Sequence, residues 1–259
     1  MKNPIVEEAG EVYIRRRECL LFHVFYTMGI ALAAVLFWSS RGFMYFFRTE
    51  SVPAVFQATL VTHLIAVAGI SLYVGLDRLA ESQIIRYTEW LERTDVPVGV
   101  LFRGKLAAAA LHTFFIVALG APFALIAAGP AGATIPAVVA SEAIILLTGL
   151  IARFAGMIIS HIGELRYVVR VIGGWLFVAL LFVATIRIYQ PINPIVAVVR
   201  QHGESSPFMQ ADQSVPFWQN PLVASGVPLL VLAIALAALY WYALTRHRAW
   251  SRRRTQHGS

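Results

Sequence analysis

The chain has 259 residues, of which 58% are hydrophobic and only 14% charged, with a mean hydropathy of +0.69. A soluble domain carries about 25% charged residues, so this composition excludes a chain that stays soluble on its own. The net charge of +7 invites a nucleic-acid reading, but the basic residues are spread over segments that flank apolar runs, so no nucleic-acid partner is expected.

Residues 1–19 read as a helix lying along a membrane surface. Asn3 is placed to cap it, Pro4 suits the first helical position, and Glu7 and Glu8 fall near the positive end of the dipole. Ile5, Ala9 and Val12 supply a modest apolar stripe. Two readings stand side by side: a basic anchor that only sets topology, and a functional interfacial helix. The single cysteine, Cys19, sits beside Arg15, Arg16 and Arg17, and a lone cysteine leaves no internal disulfide and no cysteine-based zinc site.

An apolar segment follows at 20–38. It is too long for the core of a signal peptide and ends in Trp38 and an aromatic cluster (Phe43, Tyr45, Phe46, Phe47) without a small-residue cleavage site, so it is expected as a first span. A second apolar segment covers 54–76.

The connection 77–105 is charged and patterned. Ala80, Ile84, Tyr87, Thr88 and Leu91 share one helical face, with Arg86, Glu89 and Arg93 elsewhere, which predicts a short amphipathic helix. Asp95 and Pro97 stop it and start the next helix. Periodicity alone allows a solvated or membrane-skimming helix as well as a docking site. Gly99 to Lys105 imitates a phosphate-binding loop, but the following residue is Leu106 where such a loop needs Ser or Thr for magnesium, so no nucleotide site is expected there.

Four further apolar segments lie at 106–128, 135–160, 171–188 and 222–244. Gly129, Pro130, Ala131 and Gly132 predict a tight hairpin between the first two, and 161–170 a short polar turn. The connection 189–221 is punctuated by Pro191, Pro194, Pro207, Pro216 and Pro221 with Phe208, Phe217 and Trp218. It reads as short helices against the outer leaflet that gate a path or cap the bundle. Tyr240, Trp241 and Tyr242 read as an interfacial belt at the inner end of the last span.

Backbone groups in a bilayer must be paired within the segment, so segments of this length are expected as helices. The expected fold is all-α: a single transmembrane domain over 1–259, with an interfacial helix (1–19), a bundle of six transmembrane helices (20–245) and a basic tail (246–259). Of the 21 Lys and Arg, only Arg41, Arg48, Arg187 and Arg200 fall on the side opposite the termini. The asymmetry predicts that both termini are cytoplasmic.

Ionisable side chains inside spans are costly and therefore functional suspects. They are Glu142 and Arg153 in the fourth span and His23, His63 and His112 in the first three. Glu142 and His63 are the candidate pathway residues, and Arg153 reads as an anchor reaching toward the inner surface. The histidines are expected at unlike depths, as neutral packing residues without a metal. Small residues at Gly29 and Ala33, or at Ala152 and Gly156, suit close helix contact within the chain or between copies.

The Asn-Pro start with its Arg-rich helix, the six spans, the amphipathic helix after the second, the Thr94-Asp95-Val96-Pro97 turn leading to Gly104-Lys105-Leu106, and the long segment before the last span together resemble the type-two ATP-binding-cassette exporter permeases. The likeness covers nearly the whole chain. It implies a non-catalytic transport subunit of the bacterial inner membrane that works as a homo- or heterodimer and is driven by a separate ATPase subunit. ATP and Mg would bind that partner, so no catalytic, cofactor or metal residue is implied in this chain. The resemblance makes the loop helix a coupling helix, with Ile84, Arg86, Tyr87, Glu89, Leu91 and Arg93 docking on the ATPase. The chain departs from the family by carrying Tyr87-Thr88-Glu89-Trp90 in place of the usual Gly-Thr before the Leu-rich stretch. The alternatives are a proton-coupled secondary transporter, with Glu142 and the histidines as a relay, and a membrane assembly factor without an ATPase.

Overall fold

The computed structural model describes residues 17–39, 52–76, 96–129, 131–161, 167–185, 192–200 and 221–257. Every regular element among them is a helix. In chain order these are α1 (Arg17–Ser39), α2 (Val52–Gly75), α3 (Val98–Ala128), α4 (Ile135–His161), α5 (Tyr167–Ala179) running into a single π-turn (Leu180–Ala184), α6 (Pro194–Arg200) and α7 (Pro221–His257).

Four stretches are long and apolar enough to cross a membrane: Val55–Gly75 in α2, Val98–Ala128 in α3, Ile135–Ser160 in α4 and Leu222–Arg246 in α7. Leu20–Leu36 of α1 and Val168–Val183 of α5 are shorter apolar stretches. Whole faces of the outer helices turn large apolar side chains away from the protein, among them Leu21, Phe25 and Leu32 of α1, Ile172 and Leu176 of α5, and Val231 and Ile234 of α7. A soluble monomer does not expose apolar surface on that scale. Lipid is the solvent that accommodates it, and the chain is an integral membrane protein.

Centre and periphery differ sharply. Protein buries 67% of the apolar stretch of α2 and 56% of that of α4, but only 17% of that of α7. The α2 and α4 helices form the most extensive pair, with α1 and α3 packed on α2, and α7 packed on α4. The end where α3 and α4 join is called the hairpin end below, and the end where α7 runs on is the tail end.

Glycine sets the closeness of the central pair. A Cβ on Gly75 would stand 2.5 Å from the Arg153 carbonyl oxygen, and one on Gly156 would stand 2.7 Å from the Leu72 carbonyl oxygen and 2.9 Å from Gly75 Cα. Backbone therefore meets backbone at the tail end of the seam, as small residues permit in membranes. Gly156 is thus spent on packing within the chain. A Cβ on Gly29 would meet nothing within 4 Å, so that position is not a helix contact among the described residues.

The α3–α4 hairpin closes as expected. Ala133 N–H donates to the Ala128 carbonyl at 3.1 Å, and Gly132 takes φ +64°, a left-handed conformation that glycine adopts at no steric cost.

The third helix starts at Val98, directly after Pro97, where the sequence predicts a helix start, and runs unbroken into the apolar segment expected from 106, so Gly99 to Lys105 is helix, with Arg103 donating back to the Gly99 carbonyl. That conformation holds no phosphate cradle. The fifth helix changes to a π-turn at Leu180, where the Thr185 hydroxyl donates to the Leu181 carbonyl. The last helix continues through the basic tail to His257. At about 1.5 Å per residue α3 and α7 reach roughly 46 and 55 Å, well beyond an apolar layer of about 30 Å. Their excess length lies at the tail end, where Leu101 packs on Leu244 and Phe102 meets Tyr240 and Trp241. Tyr240 is fully buried there and stacked on Phe102, so it is a core residue of this junction, while Trp241 and Tyr242 are exposed.

Candidate functional site: a polar column in the bundle

Most hydroxyls in these helices are satisfied locally. Thr59, Ser141 and Thr148 each donate to the carbonyl four residues earlier, which hides a polar group at small cost. The side chains that do not do this gather along one line between α1, α2, α3 and α4.

Nearest the hairpin end, His63 Nδ1 of α2 lies 3.5 Å from Glu142 Oε1 of α4. His63 is completely buried, and 14% of the Glu142 side chain reaches the surface. Tyr26 of α1 completes this level: its hydroxyl donates to the Ile116 carbonyl of α3 at 3.0 Å, its ring lies 6.1 Å from the His63 ring, and the Glu142 charge acts on it. The level fits because α3 carries Gly120 here. A Cβ at that position would collide with His63 Nε2 and come within 2.7 Å of the Tyr26 hydroxyl.

One level toward the tail, Ser71 of α2 and Thr113 of α3 meet around Gly149 of α4. A Cβ on Gly149 would stand 2.6 Å from the Thr113 methyl and 3.3 Å from the Ser71 hydroxyl. Both hydroxyls are buried and lack a hydrogen-bond partner among the described residues.

Below them, His23 of α1 and His112 of α3 stand edge to face with ring centroids 5.7 Å apart, and Phe115 closes on His23 at 5.2 Å. Arg153 of α4 is near enough to act electrostatically on His112. From Glu142 to Arg153 along α4 the column spans about 16 Å at 1.5 Å per residue.

The arrangement corrects two expectations. The histidines lie at two depths and not three: His23 and His112 share a level, and His63 sits above them beside Tyr26, three residues on from His23 along α1. Arg153 is not a surface anchor, since only 4% of it is exposed inside the bundle. The charge stays inside because α2, α3 and α7 surround that stretch of α4.

Among the described residues no group of three His, Cys, Asp or Glu is placed to hold a metal ion. The column holds one carboxylate, one guanidinium, three imidazoles and a phenol. With the Ser71 and Thr113 hydroxyls, such a set can bind and release protons and can carry charge between helices.

A second buried polar knot fixes α5 and α6. Asn193 is fully buried, and its amide donates to the Phe182 carbonyl at 2.7 Å and to the Thr185 hydroxyl at 2.8 Å. Its carbonyl oxygen accepts from Val196 N–H at 2.9 Å and caps α6. One side chain thereby satisfies a carbonyl at the π-turn and the start of the next helix. Ala197 and Val198 of α6 are fully buried, so this part of the expected outer connection is inserted into the bundle.

The proposed docking residues Ile84, Arg86, Tyr87, Glu89, Leu91 and Arg93 lie outside the described residues, as do 1–16 and 201–220. Sequence reasoning singled out Glu142, His63, His23, His112 and Arg153 one by one and missed Tyr26, Ser71, Thr113, Gly120 and Asn193. The spacing of His23 and Tyr26, which shares one helical face, is the signal that could have found Tyr26. Comparison with protein-family models, curated proteins and solved structures gives no match to this chain.

Proposed function

We propose that the chain is the transmembrane permease subunit of a transporter of the type-two ATP-binding-cassette exporter kind, driven by a separate ATPase at the cytoplasmic face. In this reading α1, α2, α3, α4, α5 and α7 are six crossings of a bacterial inner membrane. The tail end is cytoplasmic, and two copies, or this chain and a related one, line the substrate path. ATP and magnesium belong to the partner.

The observation that carries the reading is the backbone contact of Gly75 and Gly156. It lies at the last turn of α2, immediately before the connection 77–95. A push delivered through that connection enters a seam with no side chains to absorb it, so α2 and α4 move as one block. In this reading the moving block is α2 with α4. The overhanging starts of α3 and ends of α7 add to this. They bring Arg103 and Arg246, both exposed, to the same end and extend the helices toward the water where a soluble partner would sit.

The experiment is a purification. The tagged chain, extracted in mild detergent, should bring down a soluble ATPase in fixed ratio, and Tyr87→Glu with Leu91→Glu should release it. Absence of such a partner favours the second reading, a proton-coupled secondary transporter, for which the polar column is the motivating observation.

A further inference from the structure

The proposed reading leaves Glu142 without a task. Glu142 is the only acidic residue among those whose side chains are described, it lies in the interior of a membrane helix, and neither of its oxygens has a hydrogen-bond partner among the described residues. An isolated carboxylate in such a place costs several kcal/mol. The group that answers it is His63, whose Nδ1 is turned to Oε1.

We infer that His63 and Glu142 form an intramembrane proton-binding site, in which one exchangeable proton is shared between the imidazole and the carboxylate. With the proton bound the pair is neutral, either as imidazolium with carboxylate or as imidazole with carboxylic acid. With the proton lost the pair carries one negative charge.

Both states find support in the bundle, and this is why the proton can exchange. The protonated pair is locally neutral, which suits its dry surroundings of Gly120 and Tyr26. The deprotonated pair leaves a carboxylate about 16 Å along α4 from Arg153, whose guanidinium is permanently charged. Neither state sets two like charges in contact.

The other titratable groups around the pair fit these roles. Tyr26, on α1, donates its hydroxyl hydrogen bond to the Ile116 carbonyl and so offers only lone pairs toward Gly120 and His63. His23 of α1 and His112 of α3 lie two levels below and face each other, and Arg153 acts on His112. The short helix α6 turns Ala197 and Val198 inward and carries Arg200 at its far end. Glu142 is 14% exposed and His63 not at all, so the carboxylate is the more accessible member of the pair.

The site bridges α2 and α4, the pair proposed to move together, yet it requires no ATPase and stands or falls separately from that reading. The test is pH-difference infrared spectroscopy on the full chain in detergent. In the wild-type-minus-variant difference, carboxyl and imidazole bands are expected to change together along one titration curve, and both bands are expected to be absent in Glu142→Gln and in His63→Gln. Carboxyl and imidazole changes at separate midpoints, or persistence of one when the other residue is replaced, overturn the proposal. Should those variants fail to accumulate, the wild-type chain decides: carboxyl and imidazole bands that follow a single titration curve support the shared proton, and bands that follow two separate curves overturn it.

Discussion

The α2–α4 seam is closed at its tail end by two glycines and at its hairpin end by an imidazole and a carboxylate, and the two closures have different physics. The glycine contact is one of shape: backbone atoms approach because no Cβ intervenes, and neither pH nor salt alters it. The His63–Glu142 contact is one of charge, and its strength depends on where a proton resides. A seam built in this way is stiff where force is proposed to enter and chemically adjustable where the bundle meets the opposite face.

Breaking the stiff end should have the largest effect. Gly156→Val adds three carbon atoms against Leu72 and Gly75 backbone that cannot rotate away, and is expected to cost more than about 3 kcal/mol, beyond the usual range for overpacking. The expected readout is loss of monodisperse protein in detergent. At the adjustable end Gly120→Ala meets two side chains that can shift, so about 1–3 kcal/mol is expected, seen as a lowered thermal midpoint. Tyr26→Phe removes the 3.0 Å bond to Ile116 and should cost about 1 kcal/mol. Gly29→Ala, with nothing within 4 Å of the new methyl, should leave stability within about 0.5 kcal/mol. Gly29 and Gly156 thus separate a glycine that faces the surroundings from one that holds the seam, and equal effects at both would remove the distinction.

The helices were legible in the sequence because bilayer thickness imposes a length that composition reveals directly. Hydropathy alone is a poor guide where apolar character stops but helix does not. Arg103 and Lys105 end the hydropathy signal at the start of the third segment, and it is Pro97 that marks the start of α3 at Val98, because a helix leaving the bilayer has no reason to unwind. The same holds for the basic end of α7. The π-turn at Leu180–Ala184 left no trace in Leu-Leu-Phe-Val-Ala, since its cause is tertiary: Asn193, eleven residues from Phe182, supplies the donor that its carbonyl needs.

The candidate site was half legible. Glu142 and His63 stood out because charge and imidazole are rare in spans, but their pairing depends on the rotation of α2 against α4, which small residues at Gly149 and Gly156 determine. Tyr26 was hidden because a tyrosine in an apolar segment looks like packing until its partner, a carbonyl on another helix, is known.

The account depends on the connection after α2 lying inside the cell, where a partner can act on the glycine seam. In a Cys19→Ser background, Glu89→Cys should react with a membrane-impermeant maleimide in inverted vesicles and remain unlabelled in right-side-out vesicles. Labelling from the outer face would contradict the proposed topology, and with it the route by which an ATPase could move α2 and α4.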